Sequence, residues 1–204
     1  YPPGLSVRDE TLAGVRCRIY EGAREAAATV LYLHGGGFVV GGLESHDDVA
    51  AEIAERTGCR LVSADYRLAP EHVHPAQFDD CRAVLSEVAR RWPGRILVAG
   101  DSAGGNLAAV VALTLRGELP LAFQLLIYPA TEQHRTHDSH QRNAQGYLLT
   151  ADTMTWFHDH YITDPALDSD WRASPLRHPE LAGLPPALVL TAGYDPLRDE
   201  GRQY

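Results

Sequence analysis

One serine in the sequence stands where a nucleophile would be expected. Ser102 is the centre of Gly100-Asp-Ser-Ala-Gly104, which follows an apolar run at residues 95–99 and precedes an apolar stretch at residues 106–115 that is typical of a helix. A G-x-S-x-G pattern between a strand and a helix predicts a sharp, strained turn that projects the serine hydroxyl above a sheet. A glycine-rich turn that binds phosphate at a helix N-terminus is the alternative.

A second glycine-rich segment suits the stabilisation of negative charge. His34-Gly-Gly-Gly-Phe38 directly follows an apolar run at residues 29–33, and its glycines expose backbone N–H groups that no side chain shields. Such donors hold the oxyanion of a tetrahedral intermediate, although a flexible loop or a phosphate cradle has the same composition. Together with the serine turn, the loop predicts the two halves of an acyl-transfer site. His34 precedes Ser102 and is expected to order the loop rather than to act as the base.

The elements that must position these segments follow an alternating pattern. Near-continuous apolar runs predict buried strands at residues 29–33, 60–64, 95–99, 123–128 and 187–191, and residues 15–20 alternate as in a half-exposed edge strand. Apolar residues at helical spacing predict helices at residues 47–56 and 77–91. Alternating strands and helices predict an α/β fold with a mostly parallel central sheet and helices on both faces.

The alternation stops between residues 131 and 184. This stretch has no run resembling a central strand but contains Trp156, Phe157 and Tyr161, which predicts a helical insertion. An insertion at the carboxyl end of a sheet strand lies above the sheet, where ligands bind in open α/β folds. We therefore expect a core at residues 1–130 and 185–204 and a cap with its return segment at residues 131–184. Phe38, Leu43, Trp156, Phe157 and Tyr161 are candidates for a substrate pocket, or ordinary core.

Six segments of the sequence, in their order along the chain, resemble the motifs of the bacterial hormone-sensitive-lipase-like esterases, which have the α/β-hydrolase fold. The matching segments are His34-Gly-Gly-Gly-Phe38, Asp65-Tyr-Arg-Leu-Ala-Pro-Glu71, Gly100-Asp-Ser-Ala-Gly-Gly105, Gly146-Tyr-Leu-Leu149, Ala173-Ser-Pro-Leu176 and Asp195-Pro-Leu-Arg-Asp-Glu-Gly201. The resemblance implies Ser102 as nucleophile, and Gly36, Gly37 and Ala103 as oxyanion donors. It also implies Asp195 as the acid of the triad, with Asp199 as the alternative. Arg67 is expected to pair with a carboxylate such as Asp65 or Asp101.

The family's third triad member has no counterpart after the acid. In this fold a histidine follows the acid, but no histidine follows Asp195, and His178 and the cap histidines precede it. The sequence begins with Tyr1, and Met154 is its only methionine. We therefore expect a chain truncated at its C-terminus before the catalytic histidine, and shortened at its N-terminus as well. Residues 187–191 would then form an exposed edge strand.

The charge, the cysteines and the histidines indicate which binding partners and metal sites the composition and the spacing do not favour. All 18 cationic residues are arginines and 27 residues are acidic, so the formal net charge of −9 argues against nucleic acid and anionic membranes. Cys17, Cys59 and Cys81 form no C-x-x-C pair, which predicts buried free thiols rather than disulfides or a zinc site. The three histidines within residues 134–140 lack helical i, i+4 spacing and favour a solvated loop over a metal site. Neither a metal nor another cofactor is expected.

The combined reading is a serine carboxylesterase acting on small hydrophobic esters with short to medium acyl groups. A non-catalytic small-molecule receptor, an inactive fragment, and an amide hydrolase or deacetylase stay open as alternatives. A cytoplasmic location is the default where no leader is seen. A homodimer of the full-length protein is also left open.

Overall fold

The computed structural model describes all 204 residues and contains one seven-stranded sheet. The strands are β1 Ser6–Leu12, β2 Val15–Glu21, β3 Thr29–Leu33, β4 Arg60–Ala64, β5 Ile96–Asp101, β6 Leu121–Ile127 and β7 Ala187–Leu190. Their order across the sheet is β1-β2-β4-β3-β5-β6-β7. Strand β2 is antiparallel to both of its neighbours, β1 and β4, and β4, β3, β5, β6 and β7 are parallel. The predicted fold class is confirmed.

Helices cover both faces of the sheet. The α-helices are α1 Asp47–Thr57, α2 Ala76–Arg91, α3 Ala103–Thr114, α4 Asp138–Arg142, α5 Ala151–Tyr161 and α6 Arg198–Gln203. Helix α1 buries three alanines against one face, while α2 and α3 pack together on the other and contribute to the main cluster of 30 buried residues. Helix α3 is apolar on all sides and lies beneath the centre of the sheet, so the turn at its N-terminus has a rigid support.

One strand was not expected. Residues 15–20 were predicted to form an edge strand, but β1 occupies the edge and pairs with β2 through a hairpin whose last partners are Leu12 and Val15. The two connecting residues, Ala13 and Gly14, have φ angles of 50° and 86°, as tight hairpin turns require. Because β1 is mostly polar and partly exposed, its sequence lacks the apolar pattern that marks the other strands.

The chain between β6 and β7 contains no strand. It holds α4, α5 and the 3₁₀ helices Pro165–Ser169 and Pro175–Arg177, and the exact division into core and cap stays a prediction. Strand β7 pairs with β6 and forms the outer edge, where Leu188 and Leu190 are 47% and 45% exposed. None of the helices combines the length and the apolarity that crossing a bilayer requires.

The three cysteines are free, but only two are buried. Cys17 and Cys81 lie in the main core, and burial raises the pKa of the Cys17 thiol to about 12. Cys59, predicted to be buried, is partly exposed where the chain passes from α1 to β4. No cysteine forms a disulfide.

Candidate active site

Ser102 lies in a strained turn between β5 and α3. Its φ and ψ are 55° and −119°, a conformation that costs free energy for any residue with a side chain. The glycines of the motif allow the turn to approach β3: a Cβ on Gly104 would lie 1.9 Å from the Leu33 carbonyl oxygen, and one on Gly100 would lie 2.7 Å from it. The sequence pattern therefore reflects close packing of the turn against the end of β3.

Main-chain hydrogen bonds hold the serine in place from the neighbouring strand. The Ser102 N–H donates to the Ile127 carbonyl at 2.9 Å, and its carbonyl accepts the N–H groups of Ala130 and Asn106, each at 3.1 Å. The fully buried Asn106 side chain adds bonds from Nδ2 to the carbonyls of Ala130 at 2.7 Å and Ala173 at 2.8 Å. Sequence reasoning did not identify Asn106, because its acceptors come from distant loops.

The glycine loop after β3 presents unused backbone donors. Gly36 and Gly37 have φ angles of 123° and 60°, and the N–H groups of both make no hydrogen bond within the protein. A Cβ on Gly36 would lie 2.0 Å from the Val40 carbonyl oxygen, so this position requires glycine. At Gly37 a Cβ would instead meet the ring of Phe157 at 2.1 Å. The two N–H groups can receive hydrogen-bond acceptors, as an oxyanion site needs.

Asp101 connects the glycine loop to the serine turn. Its carboxylate accepts hydrogen bonds from the Tyr32 hydroxyl at 2.7 Å and the Gly35 N–H at 3.0 Å, and His46 Nε2 lies 3.4 Å away. Burial raises the pKa of this carboxyl, but the hydrogen bonds from His46, Tyr32 and Gly35 outweigh it, and the pKa lies below its ordinary value.

His34 is buried within the same loop. Its Nδ1–H donates to the Gly35 carbonyl at 2.7 Å, and its ring stacks on Tyr66 with the ring centres 4.3 Å apart. Burial lowers the pKa of His34, although the Gly35 carbonyl opposes the shift. These contacts are those of a residue that orders the loop.

Asp195 and Ser102 line the same open cleft. The cleft has a volume of about 670 Å³, and Asp195 enters it from the turn that follows β7. One carboxylate oxygen of Asp195 accepts the Leu197 N–H at 2.9 Å, and burial raises the pKa of the group while that bond and His140 oppose the shift. The carboxylate of Asp199, the alternative acid, is engaged by Arg198 and by the Ser139 N–H and does not line the cleft.

A second, smaller cavity is also lined by Ser102. It has a volume of about 60 Å³, and Gly37, Phe38, Ala103, Phe157 and Tyr161 are among the residues that line it. The rings of Phe38 and Tyr161 stack there with centres 3.9 Å apart. Phe157 also lines the open cleft and so stands between the two spaces.

Two of the pocket candidates lie elsewhere. Leu43 is fully buried and lines neither space, and Trp156 is 48% exposed on the outside of α5. Trp156 packs its ring against His160, on the next turn of the helix, with centres 4.4 Å apart. Aromatic residues at neighbouring helical positions point in different directions, so only Phe157 of the pair reaches the cavity.

No histidine of the chain forms a hydrogen bond with the Ser102 hydroxyl. His158 lines the small cavity, but its Nε2 lies 2.8 Å from an Asp168 oxygen and its Nδ1 lies 3.3 Å from an Asp159 oxygen. His178 Nδ1 accepts the Glu180 N–H instead. The general base predicted from the family pattern therefore has no counterpart among these contacts.

Three donors for a metal ion meet beside α6, but their hydrogen bonds favour a different use. One atom each of His137, His140 and Glu200 lie within 4.8 Å of one another. His140 Nδ1 accepts the His137 N–H at 3.2 Å, which places the ring proton on Nε2, and Nε2 donates to Glu200 at 2.6 Å. A protonated ring nitrogen has no lone pair for a metal. The geometry favours a buried histidine–carboxylate pair.

This pair corrects the prediction of a solvated loop at residues 134–140. Ser139 and His140 are buried, at 0% and 7% exposure, because α4 packs against α6. Only the first part of the segment, including His134, is exposed. The partners are about 60 residues away in sequence, which is why spacing within the segment could not reveal them.

The expected partner of Arg67 is also wrong. Its guanidinium binds both oxygens of Asp80 on α2, at 2.7 Å from Nη2 and 2.9 Å from Nε. Asp101 instead contacts Tyr32, Gly35 and His46, as described above. An oxygen of the Asp65 carboxylate lies 3.6 Å from Nη1 of Arg16. Arg67 thus fastens the turn after β4 to α2 rather than acting at the site.

Comparison with known proteins agrees with this architecture. A family model described as alpha/beta hydrolase fold matches residues 30–204. Carboxylesterase NlhH of Mycobacterium tuberculosis is 41% identical over 99% of this chain and 69% of its own length. Ethyl acetate hydrolase of Pseudomonas putida is 40% identical over 88% of this chain, which spans 59% of that relative.

A solved structure extends the agreement to three dimensions. The esterase of Pyrobaculum calidifontis superposes with a TM-score of 0.92 at 43% identity, covering 97% of this chain and 70% of that one. The resemblance inferred from the motifs is confirmed at the level of family and fold. The chain belongs to the hormone-sensitive-lipase-like family of the alpha/beta hydrolase fold.

Proposed function

We propose that the protein is a serine carboxylesterase that hydrolyses hydrophobic esters with short to medium acyl groups through an acyl-enzyme. The observation that carries the proposal is the strained Ser102, which lines both a small cavity with Gly37 and the cleft with Asp195. The relatives named as a carboxylesterase, an esterase and an ethyl acetate hydrolase support ester hydrolysis as the reaction.

In the first half-reaction Ser102 Oγ attacks the ester carbonyl carbon. A carbon–oxygen bond forms, the π electron pair moves to the carbonyl oxygen, and the Ser102 proton passes to a general base. The N–H groups of Gly36, Gly37 and Ala103 are the proposed donors to that oxyanion, and each such donor is worth about 3 to 4 kcal/mol. When the intermediate collapses, the bond to the alcohol oxygen breaks and the base returns its proton to the departing alcohol.

The second half-reaction repeats these steps with water. Water loses a proton to the base, attacks the acyl carbon, and the acid leaves as the proton returns to Ser102. Asp195 is the proposed partner that orients the base and stabilises its protonated form. The base itself is not assigned to a residue of this chain.

The size of the small cavity favours short acyl groups. Its volume of about 60 Å³ and its largely apolar lining would accept a chain of few carbons, with Phe157 as one wall. The wider cleft of about 670 Å³ lies between Ser102 and Asp195, so the general base and the alcohol part of the ester would share it.

The test is ester hydrolysis by the protein expressed from its complete reading frame. We expect hydrolysis of p-nitrophenyl butyrate, and a loss of kcat/KM of at least about 10⁴-fold in Ser102→Ala, since removing the nucleophile leaves only binding and oxyanion stabilisation. Ser86→Ala, at an exposed position of α2, is the matched control and should keep the wild-type rate.

The outcome also separates the alternatives. If Ser102→Ala keeps its rate, the nucleophile is assigned wrongly. If the wild-type protein binds small apolar esters without turnover, a non-catalytic receptor replaces the proposal, and if it prefers anilides to esters, an amide hydrolase does.

A further inference from the structure

The short helix α4 is bonded to the turn that carries Asp195. We call residues 195–200 the acid turn. Ser139 is fully buried, and its hydroxyl donates to the Pro196 carbonyl at 2.6 Å while accepting the Asp199 N–H at 3.1 Å. The Ser139 N–H in turn donates to the Asp199 carboxylate at 3.1 Å. One serine of the insertion thus makes three hydrogen bonds to the acid turn.

A second side chain of the insertion binds the acid itself. Asn143, which is 3% exposed, donates from Nδ2 to the main-chain carbonyl of Asp195 at 3.0 Å. The carbonyls of Asp195 and of the next residue, Pro196, are therefore both held by buried side chains from the region of α4. Main-chain contacts at both positions restrict the direction in which the Asp195 side chain leaves the turn.

The buried Glu200, at the end of the acid turn, makes a second set of hydrogen bonds to the region around α4. Its carboxylate accepts the N–H groups of Thr131 at 2.5 Å and Glu132 at 3.2 Å, and the Nε2–H of His140 at 2.6 Å. The acid turn and the start of the insertion are therefore fastened to each other at two places.

The other end of the acid turn is more exposed. Ala192, Gly193 and Tyr194, which connect β7 to Asp195, are exposed, and Tyr194 is 70% exposed. In this connection the Gly193 carbonyl accepts a hydrogen bond from Arg198 on the same turn, and the Tyr194 ring stacks on Tyr147 with the ring centres 5.0 Å apart. Buried side chains from the α4 side therefore hold the main chain at Asp195.

We infer that Ser139 and Asn143 are positioning residues for the proposed reaction, holding the main chain of the acid turn so that the Asp195 carboxylate faces the cleft beside Ser102. The inference rests on the proposed function. Neither residue lines the cleft or the small cavity, so each acts through Asp195 and not on the substrate.

A double-mutant cycle in the full-length protein tests this inference. We expect Ser139→Ala and Asn143→Ala each to lower kcat/KM by about 10- to 100-fold, mainly through kcat, as small displacements of catalytic groups do. In an Asp195→Asn background the same changes should have less than about a 2-fold effect, because residues that act through one group are not additive. Gln141→Ala, at an exposed position of α4, is the matched control and should change nothing.

The results distinguish the inference from the function beneath it. If Asp195→Asn keeps wild-type activity, the assignment of the acid fails and the proposed function must be revised. If Asp195→Asn is impaired but Ser139→Ala and Asn143→Ala act like Gln141→Ala, or lower the rate equally in both backgrounds, the positioning role is overturned. Should Ser139→Ala not fold, the Asn143 arm of the cycle gives the answer alone.

Discussion

The carboxylate of Asp101 accepts the backbone N–H of Gly35 at 3.0 Å, across 66 residues of sequence. Asp101, the residue immediately before Ser102, therefore fixes Gly35, the first glycine of the loop. The N–H groups of the next two glycines, Gly36 and Gly37, make no hydrogen bond within the protein. The two halves of the candidate site are joined by a direct contact, and a Cβ at Gly35 would lie 2.2 Å from an Asp101 oxygen.

Removing this acceptor is expected to affect both stability and activity. Asp101→Asn replaces one carboxylate oxygen with an NH₂ group that faces other donors, which should lower the free energy of unfolding by about 1 to 3 kcal/mol. Because the folded-state pKa of Asp101 lies below its ordinary value, the stabilisation is complete above the unfolded pKa and is lost as pH falls through the folded one. Urea denaturation of both proteins should show the difference narrowing below about pH 4. A constant difference would contradict it.

The glycine loop should tolerate a methyl group differently at its two donor positions. In Gly36→Ala the new Cβ meets main-chain atoms of Val40 at 2.0 Å, which cannot rotate away, whereas in Gly37→Ala it meets the side chain of Phe157. We expect Gly36→Ala to lose about 10²- to 10³-fold in kcat, the usual effect of losing one oxyanion donor, and to lose more than Gly37→Ala. Gly22→Ala, where the Cβ meets nothing within 4 Å, is the control. Equal losses at positions 36 and 22 would refute the assignment.

Asn106 is expected to be one of the most sensitive buried positions. Its Nδ2 donates to the carbonyls of Ala130 and Ala173, and Gln133 Nε2 also donates to the second of these. Asn106→Ala should therefore lower the free energy of unfolding by about 2 to 4 kcal/mol through one unsatisfied acceptor, the Ala130 carbonyl, and a small cavity. Chemical denaturation measures this loss. Gln141→Ala provides the exposed comparison, and a loss no larger than in that variant would show that water replaces the amide.

His74 should make the protein less stable in mild acid. Burial lowers its pKa, although the Asp170 carboxylate opposes the shift, and Tyr161 Oη, Arg172 and Asp79 are the other polar groups around it. Below the ordinary histidine pKa of about 6.5 the unfolded chain therefore binds a proton that the folded one does not, so stability falls as pH falls.

His74→Gln separates this contribution from the rest of the protein. Between about pH 7 and pH 5 the free energy of unfolding should fall less steeply in the variant, by up to about 1.4 kcal/mol per pH unit. The buried His34, whose pKa is also lowered, remains in both proteins and contributes a slope of the same sign. Identical slopes in the two proteins would show that His74 is not responsible.

The central strands could be predicted closely because their environment is uniform. The expected strands at residues 29–33 and 60–64 match β3 and β4 at both ends, since parallel strands covered on both faces are continuously apolar. Strand β1 was missed because pairing with β2, rather than burial, stabilises its mostly polar residues.

In the candidate site, too, features formed by consecutive residues could be predicted from the sequence, and contacts between distant residues could not. The serine turn and the glycine loop each lie within a few consecutive residues and could be recognised from sequence. The partners of Arg67 and His140 could not, because Asp80 and Glu200 are brought to them by packing of helices whose docking no local pattern encodes. Which side chains of α5 face the cavity likewise depended on the rotation of that helix.

The bonds between α4 and the acid turn also limit how the site can open. A movement of α4 away from the sheet would either break the contacts of Ser139 and Asn143 or carry Asp195 away from Ser102. While these contacts persist, turnover is not gated by this helix, and residues 138–143 behave as part of a rigid frame rather than as a moving lid.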